Sequence, residues 1–327
     1  MMNRYIISIF PIIIPALYLI LMSCNNLHDE DDTGSWEIGG MELADPFILV
    51  TDSVYYAYGT YSNNADEGFR VYKSTNLMQW ELCEGYALNK KDVWGEGEFW
   101  APEVYWIESL DKYIMYYSAE ERLCCAISDN PTGPFQSNRK PLLPGKNIDP
   151  NLLRTSQGEA YLYYAKTTNI GNTIWCSRLT EDFQNIIPNT EVNCISPSQE
   201  WEIDYINEGP EVLEHKGKYY MMFSGNGYSK PFYGIGLATS DSPTGPWMKY
   251  DHNPILQYPV YKGITYEGAG HNCLFTDHDG IPRTVFHVHP KPGIPDPRIL
   301  IIATFKFPED QEEEIKILDD YKLPYVI

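Results

Sequence analysis

Beyond residue 36 the chain shows no long apolar run at helical spacing. Its hydrophobic positions fall instead in short runs rich in Tyr, Ile, Val and Phe, each closed by Gly, Pro, Asn or Asp. That pattern predicts an all-β fold built of many short strands. Five of the runs share one wording: ADPFIL from Ala44, WAPEVY from Trp100, IDPNLL from Ile148, EGPEVL from Glu208 and GAGHNCLF from Gly268. Pro46, Pro102, Pro150 and Pro210 lie 56, 48 and 60 residues apart, and Gly270 follows after another 60. A second apolar run comes after each: VYYAYGT, KYIMYYSA, AYLYYAK, KYYMMFSG and, less clearly, RTVFHVHP. Four units add a third run ending in a turn, and the wording SDxPTGP plus an aromatic occurs twice, from Ser128 and from Ser240. Pro and Gly preset the turn dihedrals there. Five units of three to four antiparallel strands predict a five-bladed β-propeller, because one blade cannot bury both faces alone and a ring of blades can.

The N-terminus departs from this pattern. Arg4 is the lone charge before YIISIFPIIIPALYLILMSC, an apolar stretch broken by Pro11 and Pro15. Residues 1–23 therefore read as a secretory leader rather than a spanning helix. Leu21-Met22-Ser23-Cys24 resembles a bacterial lipobox, which implies a lipidated Cys24. Residues 24–35, polar and acidic, are expected to be a flexible tether, and they resemble the surface-export signal of Bacteroidetes lipoproteins. The propeller is expected over 36–327. The implied location is the outer membrane or periplasm, extending to the cell surface, with membrane contact through the lipid alone. Six cysteines follow Cys24 without a CxxC pair, which leaves zinc and redox motifs without support.

Composition narrows the partner. The formal charge is −21, from 24 Lys and Arg against 45 Asp and Glu. No basic face is available to neutralise phosphates, so nucleic-acid binding is excluded. A neutral sugar is compatible with an acidic surface. The 26 tyrosines agree with strands, where rings pack on a pleated surface.

In a propeller the innermost strand of each blade lines the axial channel, so equivalent repeat positions converge there. The repeated column carries Asp45, Asp149 and, one step earlier, Glu208. Clustered carboxylates push their pKa values apart, so one keeps a proton near neutral pH while another stays ionised. Hydrolysis of a glycosidic bond needs such a pair.

Asp45-Pro46, Trp100-Ala101-Pro102, Asp149-Pro150 and Glu208-Gly209-Pro210, in that order, resemble the motif series of glycoside hydrolase family 43, a family of five-bladed propellers. The resemblance covers residues from about 36 to the end. It implies that Asp45 is the general base that activates water. Glu208 would be the general acid that protonates the leaving oxygen, and Asp149 the residue that tunes and orients it. It implies inversion at the anomeric carbon and release of L-arabinofuranosyl or D-xylosyl units from plant polysaccharide or oligosaccharide. The lack of an appended β-sandwich in this sequence, and the Gly-His of unit five, lean the expectation towards an α-L-arabinofuranosidase over a β-xylosidase.

Further positions follow from the same resemblance. Trp100 would stack on a sugar face, Phe47 would wall the pocket, and Arg298 would contact sugar hydroxyls or pair with Glu208. His271 in GAGHNC resembles a histidine that helps hold hydrated calcium or sodium on the propeller axis, although the chemistry itself requires no cofactor. An endo-acting arabinanase remains an alternative within the family. A non-catalytic glycan-binding propeller is the alternative from another class. It has no need for three acids, whose burial is costly. Related propeller hydrolases acting on fructans carry a nucleophile motif that is absent here.

Overall fold

The structure is a computed structural model that describes residues 39–61, 65–137, 140–307 and 315–327. The leader of residues 1–23, the whole tether of residues 24–35 and with it Cys24 lie outside the described residues. The compact unit that carries the site spans Glu37–Ile327. It is a five-bladed β-propeller. Blade I consists of Ala44–Val50, Tyr55–Thr60, Tyr72–Ser74 and Gln79–Leu82. Blade II has Trp100–Ile107, Lys112–Ala119 and Arg122–Ser128, with Gln136 bridging Ile127 in place of a fourth strand. Blade III has Asn147–Arg154, Ala160–Thr168, Gly171–Arg178 and Val192–Ile195. Blade IV has Asn207–His215, Lys218–Gly225, Gly234–Ser240 and Met248–Lys249. Blade V has Gly270–Thr276, Pro282–Val288, Ile299–Lys306 and Lys316–Ile317.

The unbroken apolar wording of the middle strands follows from this stacking. Side chains alternate across a strand, and here both faces are covered by neighbouring blades. In blade II, Met115, Tyr117, Cys124 and Ala126 pack towards blade I. Their alternates Ile114, Tyr116, Leu123 and Cys125 pack towards blade III. In blade IV, Tyr219, Met221 and Phe223 face blade III, while Tyr220 and Met222 face blade V. The two SDxPTGP turns are held alike: Tyr58 of blade I donates its hydroxyl to the Pro131 carbonyl, and Tyr163 of blade III to the Pro243 carbonyl. Phe135 after the first turn is fully buried, and Trp247 after the second meets Tyr163 edge-on at 6.2 Å.

The ring closes through both ends of the described chain. Leu43 N–H donates to Arg298 carbonyl and Leu300 N–H to Met41 carbonyl, joining the first segment to blade V. The last segment pairs Lys322 with Ile302 of blade V, then lays Tyr325–Val326 parallel to Gln79–Trp80 on the outer edge of blade I.

All five inner strands break register at one place, between 44 and 47, 100 and 103, 148 and 151, 208 and 211, and 270 and 273. Each break is a β-bulge whose first turned residue has left-handed backbone: Asp45 (φ 47°), Ala101 (47°), Asp149 (58°), Gly209 (52°) and His271 (49°). The repeat prolines thus sit inside the strands, one residue past the turned position, and bulges are where a sheet tolerates proline.

Candidate active site

A bulge leaves one backbone N–H outside the ladder, and a buried N–H needs a partner. Four of the five find one on the second strand of the preceding blade. Ala101 N–H donates to Thr60 Oγ1 (2.9 Å), Asp149 N–H to Ser118 Oγ (3.0 Å), His271 N–H to Ser224 Oγ (2.7 Å) and Asp45 N–H to His287 Nδ1 (3.1 Å). These acceptors occupy one register position, paired with Ala44, Trp100, Glu208 and Gly270 in their own blades. The fifth such position is Ala165, paired with Ile148, and it has no acceptor. Gly209 N–H turns to Asp149 Oδ2 instead, at 3.0 Å. A missing hydroxyl thereby ties the Asp149 carboxylate to the peptide that follows Glu208. Ala165→Ser is expected to offer Gly209 the hydroxyl found in the other blades and to loosen Asp149. The cost should be a fall of about tenfold in kcat with the melting temperature little changed. Steady-state kinetics beside a thermal melt checks this, and an unaltered kcat would make the Asp149–Gly209 bond irrelevant to turnover.

The bulges open a cleft of about 250 Å³ lined by Asp45, Trp100, Ile148, Asp149, Glu208, Tyr228, His271 and Arg298. A larger hollow, about 410 Å³, lies on the outer edge of blade II around Ser128, Asn130 and Gln136, away from every inner strand.

Asp45 is surrounded by donors. Arg298 Nη1 lies 2.8 Å from Oδ1, Thr60 Oγ1 donates to Oδ2 at 2.6 Å, and His271 Nδ1 stands 3.3 Å from Oδ1. Burial alone would raise its pKa. The Arg298 guanidinium, helped by His271 and the Thr60 hydroxyl, more than offsets this and holds the carboxyl well below the usual range. His287 is kept neutral by burial and by Arg298. Because its Nδ1 accepts the Asp45 N–H, its proton sits on Nε2.

Glu208 has the opposite setting. Burial pushes it up to about 7, the Asp45 charge adds to the rise, and the hydroxyl of Tyr233 on Oε1 (2.9 Å) opposes it. Asp149 is also pushed up to about 7, by burial and then by Glu208 and Asp45, against the pull of His271. Tyr233 reaches Glu208 past Gly270, where a Cβ would come within 2.1 Å of its ring.

Deeper on the inner strands, two residues past the turned positions, lie Glu103, Asn151 and Glu211. Asn151 Nδ2 donates to Glu211 Oε2 (3.1 Å) and to Glu103 Oε2 (3.4 Å), and Tyr105 donates its hydroxyl to Glu103. Burial raises both carboxyls, and Glu211 raises Glu103 further.

The cleft gathers Asp45, Asp149, Glu208, Trp100, Arg298 and His271 as the sequence suggested, and differs from it at two points. Phe47 does not wall the cleft. It points into the core between blades, 5.2 Å from Tyr105, because it stands two residues past the turned position, on the buried continuation of the strand. Arg298 pairs with Asp45, and additionally with Asp296 (3.3 Å), rather than with Glu208. Its guanidinium also lies 4.4 Å from the centre of the Tyr228 ring.

Sequence reading missed Thr60, Tyr228, Tyr233, His287 and Asn172, whose side chain draws the Glu208 pKa down. The register column Thr60, Ser118, Ser224, His287 carried a signal at the end of each second run. Tyr228, in a loop, and Asn172, second residue of the third strand of blade III, carried none.

For an axial cation, His271 directs Nδ1 at Asp45 and Asp149, which leaves its Nε2. Among the described residues no three His, Cys, Asp or Glu side chains are grouped to hold a metal. Calcium takes six to eight oxygen ligands. Among the described residues His271 Nε2 is the candidate donor, and the remaining ligands of such an ion would be water.

One carboxyl whose pKa is held down and another pushed up to about 7, lining one axial cleft, place this propeller in the glycosidase class. The chain belongs to the glycosyl hydrolases family 43, whose family model matches residues 38–311. It is similar to a β-D-galactofuranosidase from Aspergillus niger, 27% identical over 75% of this chain and 73% of that protein. A xylosidase/arabinosidase from Bacteroides ovatus is 24% identical over 75% of this chain and 88% of its own length. Among solved structures, an endo-1,4-β-xylanase from Bacteroides thetaiotaomicron superposes with a TM-score of 0.83 at 38% identity, covering 88% of this chain and 98% of that one.

Proposed function

We propose that the protein is an inverting glycosidase that releases L-arabinofuranosyl or D-xylosyl units from plant cell-wall polysaccharides or oligosaccharides. One observation carries the reading: Asp45 and Glu208 line the same cleft, with the Asp45 pKa held down and the Glu208 pKa pushed up to about 7. Asp45, ionised, takes a proton from water as it attacks the anomeric carbon. Glu208, protonated, gives its proton to the leaving oxygen as the glycosidic bond breaks. Asp149 holds the Gly209 peptide, and with it the backbone beside the acid. Trp100 and Tyr228 offer ring faces to the sugar. Solvent then returns a proton to Glu208 and removes one from Asp45. The pentose assignment is supported by the xylosidase/arabinosidase and endo-xylanase relatives.

The test is a screen of nitrophenyl arabinofuranoside, nitrophenyl xyloside, linear arabinan and arabinoxylan, with the anomer of the first product read by NMR. A product of retained configuration would overturn the base assignment.

The pH profile follows from the two carboxyls. Glu208 works protonated, so activity is expected to fall as pH rises through about 7. Asp45 works ionised and its pKa is depressed, so the acid limb should lie below the ordinary aspartate range. A profile of kcat/KM that still climbs between pH 7 and 9 would contradict the acid role.

We further propose that residues 1–23 are removed and that Cys24 carries lipid, which would anchor the propeller outside the cytoplasm on the tether of residues 24–35. The mass of the mature N-terminus decides this: an unmodified Cys24 would refute it.

A further inference from the structure

Three large apolar side chains stand in solvent on segments that meet just before the strand carrying Glu208: Tyr205 (66% exposed), Ile203 (57%) and Ile170 (56%). Scattered singly, such residues mean little, but a group of them next to a catalytic cleft marks a binding surface. They belong to two segments locked together. Ile170 lies in the turn between the second and third strands of blade III, and Ile203 and Tyr205 lie in the loop entering blade IV. Asn172 N–H donates to the Tyr205 carbonyl at 3.1 Å. Gly171 (φ 107°) passes so close that a Cβ there would come within 1.9 Å of the same carbonyl oxygen. Tyr205 itself has left-handed backbone, φ 57°. Buried Asn226 fixes the loop from below: its Oδ1 accepts from Asp204 N–H (3.1 Å) and its Nδ2 donates to the Trp201 carbonyl (2.8 Å). The backbone is pinned while the apolar side chains are left without a partner.

The same Asn172 that bonds Tyr205 is joined to Ile206, two residues before Glu208, and its side chain draws the Glu208 pKa down. A general acid stands on the leaving side of the bond it cleaves, since it protonates the departing oxygen. The patch therefore continues the cleft in the direction in which the leaving group extends. We propose that Tyr205, Ile203 and Ile170 form the platform for the leaving-side sugars, a neutral pentose chain whose ring C–H faces stack on Tyr205 and rest on the two isoleucines. This rests on the acid role of Glu208. The three side chains carry no charge, and a chain of net charge −21 repels anionic lipid, acidic glycan and a second copy of itself.

The experiment compares a pentose oligosaccharide with the nitrophenyl glycoside of the same terminal sugar. In Tyr205→Ala the ratio of their kcat/KM values is expected to fall about tenfold, mainly through KM on the oligosaccharide, as the ring surface is lost. Met248→Ser removes an equally exposed apolar side chain on the outer strand of blade IV and should move neither rate. A ratio within about twofold of wild type in Tyr205→Ala overturns the platform. Calorimetric titration of the oligosaccharide into wild type and Tyr205→Ala reads the platform without turnover, and equal affinities overturn it as well. Full activity of Glu208→Gln would instead sink the acid assignment, so the two failures are told apart.

Discussion

Asp45→Asn is expected to lower kcat about 10³- to 10⁴-fold on every substrate, sugar-linked or nitrophenyl. The change keeps the size of the side chain and one acceptor oxygen for Thr60 or Arg298, but removes the group that takes the proton from water. The loss should not depend on the leaving group, because water attack is required whatever departs. The substitution also leaves the buried Arg298 charge facing Asp296 and the Tyr228 ring without its shortest partner. Removing one member of a buried pair costs about 3–5 kcal/mol, so a lower melting temperature is expected with the lost activity. Measuring kcat well below that temperature separates the two effects. A folded variant that keeps more than a tenth of the wild-type kcat would mean that another group activates the water.

The sequence revealed the blades because their physics is repetitive. Every unit must supply a strand buried on both faces, so Lys112–Ala119 and Lys218–Gly225 carry the same apolar wording, and every unit must turn at the axis, so Pro46, Pro102, Pro150 and Pro210 recur. Asp45, Asp149 and Glu208 were legible for the same reason: a shared register places them on one axis. Phe47 was misread because proximity along the chain is a poor guide at a bulge, where two residues of displacement carry a side chain from the cleft to the core. Arg298 was placed at the site, and of its two expected roles only the pairing with Glu208 gave way, to Asp45, since the wording of a late strand does not say which carboxylate it meets.

Other features depended on contacts between blades that no single segment records. Thr60 serves two blades at once, donating to Asp45 and accepting from Ala101 N–H. Ala165 matters through the hydroxyl it lacks, and an absence at one position of five is visible only once the other four are seen to act alike. Tyr228 lies in a loop whose sequence follows no repeat, and loops are where specificity resides on a rigid scaffold; Asn172 opens a strand of blade III but acts on a side chain of blade IV.

Asp149 and Glu208 both sit at about 7, so pKa alone does not say which of them gives the proton. Geometry does. Asp149 turns Oδ2 to the Gly209 N–H and to His271 Nδ1, as a group that positions the backbone, whereas Glu208 gives Oε1 to the Tyr233 hydroxyl and lines the cleft with its carboxyl. Glu208→Gln is therefore expected to lower kcat about 10³-fold for sugar leaving groups, whose oxygen must be protonated as the bond breaks. Nitrophenolate departs with little help, so its glycosides should lose far less. The descending limb near pH 7 should also vanish with the carboxyl that titrates there. If both leaving groups suffered equally, or if the limb persisted in the variant, the proton donor would have to be Asp149, with Glu208 reduced to shaping its field.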